Sequence, residues 1–169
     1  MEYIKPIWNI EEIQSLDYEF VETYQKNPSY DHYHHSRYKD IIGNEAYYLP
    51  KPMPSFIDKI IKYPIFDEFD TVLPGIHRMQ PGMVLPLHAD PFGNVKRLYN
   101  IEDIEEVYRY LFFLEDSKPG HLTQLKDTMI VNNEAGNYIK WKGSAPHAAF
   151  NMGTEDRYTM QITCFNNSI

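Results

Sequence analysis

Cysteine is almost absent from this 169-residue chain, which contains a single one, Cys164. One cysteine excludes an internal disulfide framework and a zinc site built from several thiolates. Cys164 lies in a segment where apolar residues alternate with polar ones. We therefore interpret it as a buried thiol of the core and not as a nucleophile.

Basic runs and long apolar runs are absent as well. The chain has 16 Lys and Arg against 24 Asp and Glu, a formal net charge of -8. This balance argues against a nucleic-acid partner, because such binding depends largely on neutralising phosphates. No segment has the roughly 20 consecutive apolar residues of a membrane span, and residues 1–6 lack a basic segment followed by an apolar run. We expect a cytoplasmic protein with no nucleic-acid or membrane partner.

The residues that are present predict one domain made of two unlike parts. The hydrophobic share is 43%, with 14 Tyr and 9 Phe, which is enough for a real core. In residues 1–70, apolar positions at three- and four-residue spacing over 10–16 and 54–61 predict short amphipathic helices. These residues form a mixed helical cover, and residues 71–169 form a β-rich core.

The second part consists of short runs rich in β-branched and aromatic residues, separated by Gly- and Pro-containing turns. We predict eight strands, near residues 73–80, 83–90, 107–114, 120–125, 128–132, 138–142, 145–150 and 157–165. Eight short strands with a helical cover predict a mainly β fold, a cupin-like jelly roll or double-stranded β-helix with N-terminal helices packed against it. A doubly wound parallel sheet is disfavoured.

Polar residues with metal-binding chemistry fall on these strands. Because strand side chains alternate between faces, His88 and Asp90 share one face. His147 lies among small residues, which leave space beside it. Two imidazoles and one carboxylate occupy three positions of an octahedral iron and leave three for a cosubstrate and dioxygen. Arg157 can hold the distal carboxylate of an α-keto acid as a bidentate fork, and Thr159 on the same face can add a hydrogen bond.

These motifs resemble those of a known family. His88-Ala89-Asp90, the distant His147, and Arg157-Tyr158-Thr159 about ten residues further on are similar to the pattern of 2-oxoglutarate/Fe(II)-dependent oxygenases. The segment 110–121, with the sequence YLFFLEDSKPGH, resembles small viral and bacterial members grouped with prolyl and aspartyl/asparaginyl hydroxylases. The resemblance spans roughly residues 74–165.

The resemblance implies an activity and a role for each motif residue. It implies a dioxygenase that uses Fe(II), 2-oxoglutarate and O2 to hydroxylate a free or peptidyl amino-acid side chain, with release of succinate and CO2. The substrate partner would then be a peptide, a protein or an amino acid. The implied iron ligands are His88, Asp90 and His147. The implied 2-oxoglutarate contacts are Arg157 at the C5 carboxylate, Thr159, and a second polar contact from Arg109, with Arg78 and Gln80 behind it.

Other interpretations of the same residues stay open. A His-x-Asp motif alone is often a surface turn in which Asp caps the backbone, and Arg109 could equally form an ion pair with a nearby acid. A cupin-like metal or small-molecule binding protein without oxygenase activity would use a similar cluster. Such a protein has no need of the fixed cation Arg157.

Two further segments qualify as functional candidates. The histidines His32, His34 and His35 offer a rival metal site, but no carboxylate or cysteine accompanies them at suitable spacing. We interpret them as part of a polar, tyrosine-rich loop that borders the site. The connection 91–106 is long enough to be a lid or substrate loop, and Asn100 is predicted to cap a helix over its charged stretch.

Overall fold

Two antiparallel β-sheets form the protein in a computed structural model that describes residues 1–21 and 39–167. Within those residues the larger sheet has seven strands, in the spatial order β1 (Glu2–Tyr3), β9 (Asn137–Lys142), β6 (Tyr108–Phe113), β11 (Arg157–Phe165), β4 (Thr71–Met79), β3 (Glu45–Tyr48) and β2 (Glu19–Phe20). The smaller sheet has the order β5 (Val84–His88), β10 (His147–Asn151), β7 (His121–Leu125) and β8 (Thr128–Ile130). The mainly β jelly-roll fold predicted from the sequence is confirmed. The cluster His32, His34 and His35 lies outside the described residues.

Three short α-helices accompany the sheets within the described residues: α1 (Ile10–Gln14), α2 (Ser55–Ile60) and α3 (Gly93–Tyr99). The first two fall where apolar spacing predicts them. Asn9 caps α1, since its side chain accepts a hydrogen bond from the backbone N–H of Glu11. Their buried residues Ile13, Phe56 and Ile60 pack in the main core on one face of the large sheet. None of the helices in the described part of the chain is long and apolar enough to cross a membrane.

The C-terminal strand β11 separates the core from the interior between the sheets. Its residues Met160, Ile162 and Cys164 are fully buried in the main core against the N-terminal helices. Burial raises the pKa of the Cys164 thiol to about 12, as expected of a core thiol that does not react. The alternate residues Thr159 and Gln161 face the cavity between the sheets. The alternation predicted for this strand is confirmed.

One edge of the interior is closed where the two sheets meet. Ile42 forms a parallel bridge with Val84, the first residue of β5. The neighbouring Gly43 donates its N–H to the Val84 carbonyl at 3.0 Å. This junction holds the small sheet, which carries the two histidine candidates, against the N-terminal side of the large one.

All eight predicted strands are present, with ends within two residues of the predicted ones. The structure adds β1, β2 and β3, which extend the large sheet with residues from the predicted helical cover. These strands have two to four residues each, which is too short to give a recognisable alternation. They pair because the edges of the long strands β9 and β4 are available to them.

The predicted helix cap at Asn100 is wrong. Asn100 follows the last residue of α3 in a left-handed conformation with φ of 54°, a backbone geometry that asparagine tolerates better than most residues. The charged stretch forms only a 3-10 turn, Ile104–Glu106, and Asp103 caps it by accepting from the Glu105 N–H at 2.8 Å. The asparagine therefore ends one helix where the pattern predicts that it begins another.

Candidate metal and carboxylate site

Three candidate metal ligands converge at one end of the small sheet. His88 ends β5, His147 begins β10, and the two residues are partners across the antiparallel pair. Asp90 lies just beyond the end of β5, so a turn and not strand alternation brings its carboxylate between them. Its oxygens are 3.6 Å from Nε2 of His88 and 3.8 Å from Nε2 of His147. One ligand atom from each residue lies within 4.8 Å of the others.

Backbone carbonyls orient both imidazole rings. Nδ1 of His88 lies 2.8 Å from the Pro86 carbonyl, and Nδ1 of His147 lies 3.0 Å from the Ala145 carbonyl. Because a carbonyl only accepts, each Nδ1 donates its proton, and Nε2 is the nitrogen that faces Asp90 and could bind a metal. This outer hydrogen bond is the usual support of a metal-binding histidine. Two imidazoles and one carboxylate in this arrangement fit a divalent metal ion.

Arg109 holds the Asp90 carboxylate in its charged form. Its Nε and Nη2 atoms lie 3.1 Å and 3.0 Å from Oδ2 of Asp90. Burial by itself would raise the pKa of Asp90, but the Arg109 guanidinium and the two histidines hold that pKa well below its ordinary value. Burial also lowers the pKa of His147, with Asp90 opposing the shift. Both shifts favour the form that binds a metal, an ionised carboxylate at Asp90 and a neutral ring at His147.

Because its guanidinium is bonded to Asp90, Arg109 does not face the cavity in which a cosubstrate would bind. It hydrogen-bonds to the Thr163 hydroxyl and stacks over the Phe92 ring at 4.7 Å, and it is absent from the cavity lining. The structure gives this arginine the other role that the sequence left open, an ion pair with an acid. That acid is the candidate metal ligand Asp90.

A cavity extends from the histidines into the space between the sheets. It encloses about 570 Å³ of empty space, counting the solvent at its mouth. One wall is apolar, with Leu85, Leu111, Leu125, Ile139 and Trp141. The polar residues of the lining are Asn44, His77, His88, Thr123, Gln124, His147, Arg157, Thr159 and Gln161.

Arg157 is the most unusual of these residues. It is 5% exposed, donates to the Thr123 hydroxyl, and has no carboxylate within ion-pair distance among the residues that the structure describes. Burial lowers its pKa to about 10, with Glu115 opposing the shift, so the guanidinium still carries its charge at neutral pH. A buried unpaired charge is costly. An anion bound in the cavity would remove that cost.

The register between β7 and β10 indicates how far Arg157 lies from the metal ligands. Its partner Thr123 lies beside Ala149 of β10, two residues along that strand from His147. Two strand residues span about 7 Å. A dicarboxylate of about five carbons could therefore bind the metal at one end and Arg157 at the other, with Thr159 beside it on the same face.

Gln80 and Arg78 do not line the cavity, so the predicted cosubstrate contacts from them are wrong. Gln80 Nε2 donates to Glu45 at 3.0 Å, and Arg78 Nε pairs with the same carboxylate at 2.5 Å. Arg78 also stacks over the Tyr18 ring at 4.9 Å. On β4 the odd-numbered residues His77 and Met79 face the cavity, which puts the even-numbered ones on the face covered by the N-terminal segment.

Asn44, His77 and Trp141 are among the lining residues that have no counterpart in the predicted site. Burial lowers the pKa of His77 to about 4, and its ring nitrogen Nδ1 contacts the amide nitrogen of Asn44 at 2.9 Å. The Trp141 ring lies 5.0 Å from the His147 ring. Trp141 lies two residues from Ile139 on β9, so strand alternation predicts that both face the cavity. Asn44 and His77 belong to no motif that could have identified them.

Comparison with known proteins gives only loose structural likenesses. No protein-family model matches the chain, and no curated protein does. A putative sugar phosphate isomerase from Acidithiobacillus ferrooxidans is 9% identical with a TM-score of 0.48, covering 94% of this chain and 74% of that one. The cupin domain of Schizosaccharomyces pombe Cnp3 is 8% identical with a TM-score of 0.47, covering 90% and 71%. A predicted oxalate decarboxylase from Thermotoga maritima is 13% identical with a TM-score of 0.42, covering 73% and 81%.

Proposed function

We propose that the protein is an Fe(II)- and 2-oxoglutarate-dependent dioxygenase that hydroxylates a free or peptidyl amino-acid side chain and releases succinate and CO2. The observation that carries the proposal is the buried, unpaired guanidinium of Arg157 in the same cavity as the His-Asp-His group. A metal site alone explains the three ligands. It does not explain a charged arginine that needs an anion about one dicarboxylate length away.

The residues of the site would divide the work between them. Fe(II) would be held by His88, Asp90 and His147, and when bound it supplies the redox chemistry that activates dioxygen. Arg157 would bind the C5 carboxylate through a charge-assisted pair, and the Thr159 hydroxyl would add a hydrogen bond. Three protein ligands leave the other positions of an octahedral metal open to the cosubstrate and dioxygen.

The remaining chain residues prepare the site for these ligands. Arg109 bonds to Oδ2 of Asp90, which favours binding of the metal through Oδ1 alone and keeps the neighbouring position open. The apolar wall around Leu111, Ile139 and Trp141 excludes water from the cavity, which strengthens the electrostatic interactions within it. No side chain needs to transfer a proton for the cosubstrate to bind.

A second function is favoured by one contact. The Arg157 side chain already bonds to the Thr123 hydroxyl inside the cavity, which gives it a structural task. If the role of Arg157 is to hold Thr123 in place, the three metal ligands suit a cupin-like metal or small-molecule binding protein without oxygenase activity equally well.

Titration of the protein with 2-oxoglutarate under anaerobic Fe(II) separates the two functions. The oxygenase should develop a metal-to-ligand charge-transfer absorption, and aerobic incubation should then yield succinate. Arg157→Met should weaken 2-oxoglutarate binding about 10- to 100-fold, the effect of losing a charge-assisted pair, and leave Fe(II) binding unchanged.

Two variants serve as controls for this titration. His88→Ala should abolish Fe(II) binding. Arg78→Met, which removes an arginine from the opposite face of the sheet, should change neither affinity. Iron bound with no absorption change and no succinate would support the binding protein and refute the oxygenase.

A further inference from the structure

Two polar side chains outside the proposed machinery, a buried asparagine and a half-buried histidine, form a pair on the cavity wall. Asn44 is 2% exposed, and its amide nitrogen lies 2.9 Å from Nδ1 of His77. Both residues line the cavity shared by His88 and Arg157. In the part of the chain that the structure describes, the amide oxygen of Asn44 has no hydrogen-bond partner. A buried acceptor of this kind indicates a missing donor.

The backbone fixes this pair between the two functional ends of the cavity. Asn44 directly follows the junction at which Gly43 donates to Val84 of β5, the strand that ends in His88. His77 is the Cα partner of Thr159 on β11, two residues from Arg157. A ligand that contacts the pair would therefore lie beside both the metal and the bound dicarboxylate.

The hydrogen-bonding capacity of the pair follows from its chemistry. Burial lowers the pKa of His77 to about 4, with Arg109 acting in the same direction and Asp90 opposing, so the ring is neutral at pH 7 and carries one proton. When the Asn44 nitrogen donates one hydrogen to Nδ1, the ring proton sits on Nε2. The pair then keeps two donors, Nε2–H and the second amide hydrogen, and one acceptor, the amide oxygen. When the amide is turned over, its oxygen accepts from Nδ1–H, both amide hydrogens are donors and Nε2 is the acceptor. In either orientation the pair keeps both donors and an acceptor.

This combination selects the kind of group that can satisfy it. A carboxylate only accepts hydrogen bonds and an ammonium group only donates them. A hydroxyl does both, but through a single oxygen atom, whereas the unused donors and the unused acceptor of the pair lie on different atoms. An amide presents its donor and its acceptor on separate atoms, as the pair does. 2-Oxoglutarate has no donor and would leave one partner unsatisfied.

We propose that Asn44 and His77 form a binding site for an amide group, either a carboxamide side chain or a peptide unit, on the molecule that enters the cavity beside the metal. The site rests on the proposed function only in identifying that molecule as the one to be hydroxylated. Binding of the amide itself needs no turnover.

Acetamide and acetone are matched probes for this site, because they have the same shape and acetone lacks the donor. The full-length protein, loaded with Zn(II) and labelled with ¹⁵N on histidine, is titrated with each probe while the His77 ring nitrogens are followed by NMR. Acetamide should shift them in a saturable way with an affinity at least 10-fold higher than that of acetone. Equal affinities would overturn the proposal. No saturable shift with acetamide would also overturn it, in favour of a bound water.

Two variants distinguish the pair from other amides of the wall. Asn44→Leu should abolish the preference for acetamide. Gln124→Leu should keep it, because the Gln124 nitrogen is already bonded to the Lys126 carbonyl at 2.9 Å; equal losses in the two variants would refute the assignment. The wild-type comparison decides the question even if Asn44→Leu does not fold. A preference for acetamide without 2-oxoglutarate turnover would reject the oxygenase alone, and turnover without the preference would reject the amide site alone.

Discussion

At the scale of single residues, two arginines of the large sheet differ in their partners. Arg109 has a buried carboxylate, Asp90, beside it, whereas Arg157 has only the Thr123 hydroxyl among its described contacts. The charge of Arg109 is balanced within the protein, so that ion pair needs no ligand. The charge of Arg157 would be balanced only by a bound anion. Arg109 therefore has a structural partner outside the cavity lining, and Arg157 is the arginine that could bind an anion inside it.

Replacing Arg109 should destabilise the metal-free protein in a pH-dependent way. Arg109→Met leaves Asp90 as a buried unpaired charge and should lower the free energy of unfolding at pH 7 by about 3–5 kcal/mol. The lowered pKa of Asp90 stabilises the wild type above the unfolded-state pKa of about 3.9, and this stabilisation is lost as pH falls toward the folded-state value. The difference between the proteins should therefore narrow by about 1 kcal/mol per unit below pH 4. Urea unfolding at pH 7 and pH 3 measures it.

Arg109→Lys is the conservative comparison for that experiment. It keeps the charge but loses the fork that brings two nitrogens to one carboxylate oxygen, so its loss of stability should be smaller than that of Arg109→Met. A difference between wild type and Arg109→Met that stays constant from pH 7 to pH 3 would show that Asp90 is not the group stabilised by this arginine.

Site residues could be predicted from the sequence where a motif with fixed spacing identifies them. They could not be predicted where the pairing of distant strands determines which face a residue lies on. The positions of His88, Asp90 and His147 follow from motif and strand order. Gln80 is misassigned because both faces of its strand carry polar residues, and only the Glu45 carboxylate on the neighbouring strand identifies which face is covered. Asn44 enters the cavity through the pairing of a four-residue strand that gives no periodic signal.

At the scale of elements, β11 combines two functions on its two faces. Ile162 and Met160 are fully buried in the core, and Thr159 lines the cavity. The strand could be predicted in full, since polar and apolar residues alternate over eight positions, from Arg157 to Cys164. The end of β5 could not be predicted. The strand ends at His88, two residues before the predicted end, and no turn-forming residue before Pro91 marks that position.

Substitutions on the two faces of β11 should have separable effects. Ile162→Ala should lower the free energy of unfolding by about 2–5 kcal/mol, the usual cost of truncating a buried aliphatic side chain, with 2-oxoglutarate affinity retained in the folded protein. Thr159→Val should leave stability within about 1.5 kcal/mol and weaken 2-oxoglutarate binding several-fold, because it removes a hydroxyl and keeps the shape. Chemical denaturation and ligand titration of both variants measure the two quantities. Loss of ligand affinity in Ile162→Ala alone would contradict the division of faces.

At the scale of the whole molecule, a bound metal would link two strands of the small sheet and the turn that follows one of them. His88 and Asp90 come from β5 and its turn, and His147 comes from β10. An ion that binds the folded state and not the unfolded one stabilises the fold by mass action. The site therefore contributes to stability as well as to chemistry.

Removal of the metal should lower the melting temperature. At a metal concentration 100-fold above Kd, binding adds about 2.7 kcal/mol, which corresponds to roughly 5–10 °C in a domain of this size. Differential scanning calorimetry with Mn(II) and after chelation measures the difference. It should be absent from His147→Ala, and an undiminished difference in that variant would move the metal away from the three proposed ligands.

The position of β11 also determines when the site can exist during synthesis. It pairs with β4 on one side and β6 on the other, strands that leave the ribosome long before it. Until residues 157–165 follow, these two strands have no common neighbour, and the guanidinium at the closed end of the cavity has not yet been made. Cotranslational folding can thus prepare the helices and hairpins. Under the proposed function, a dicarboxylate could bind to Arg157 only after this late insertion into the middle of the sheet.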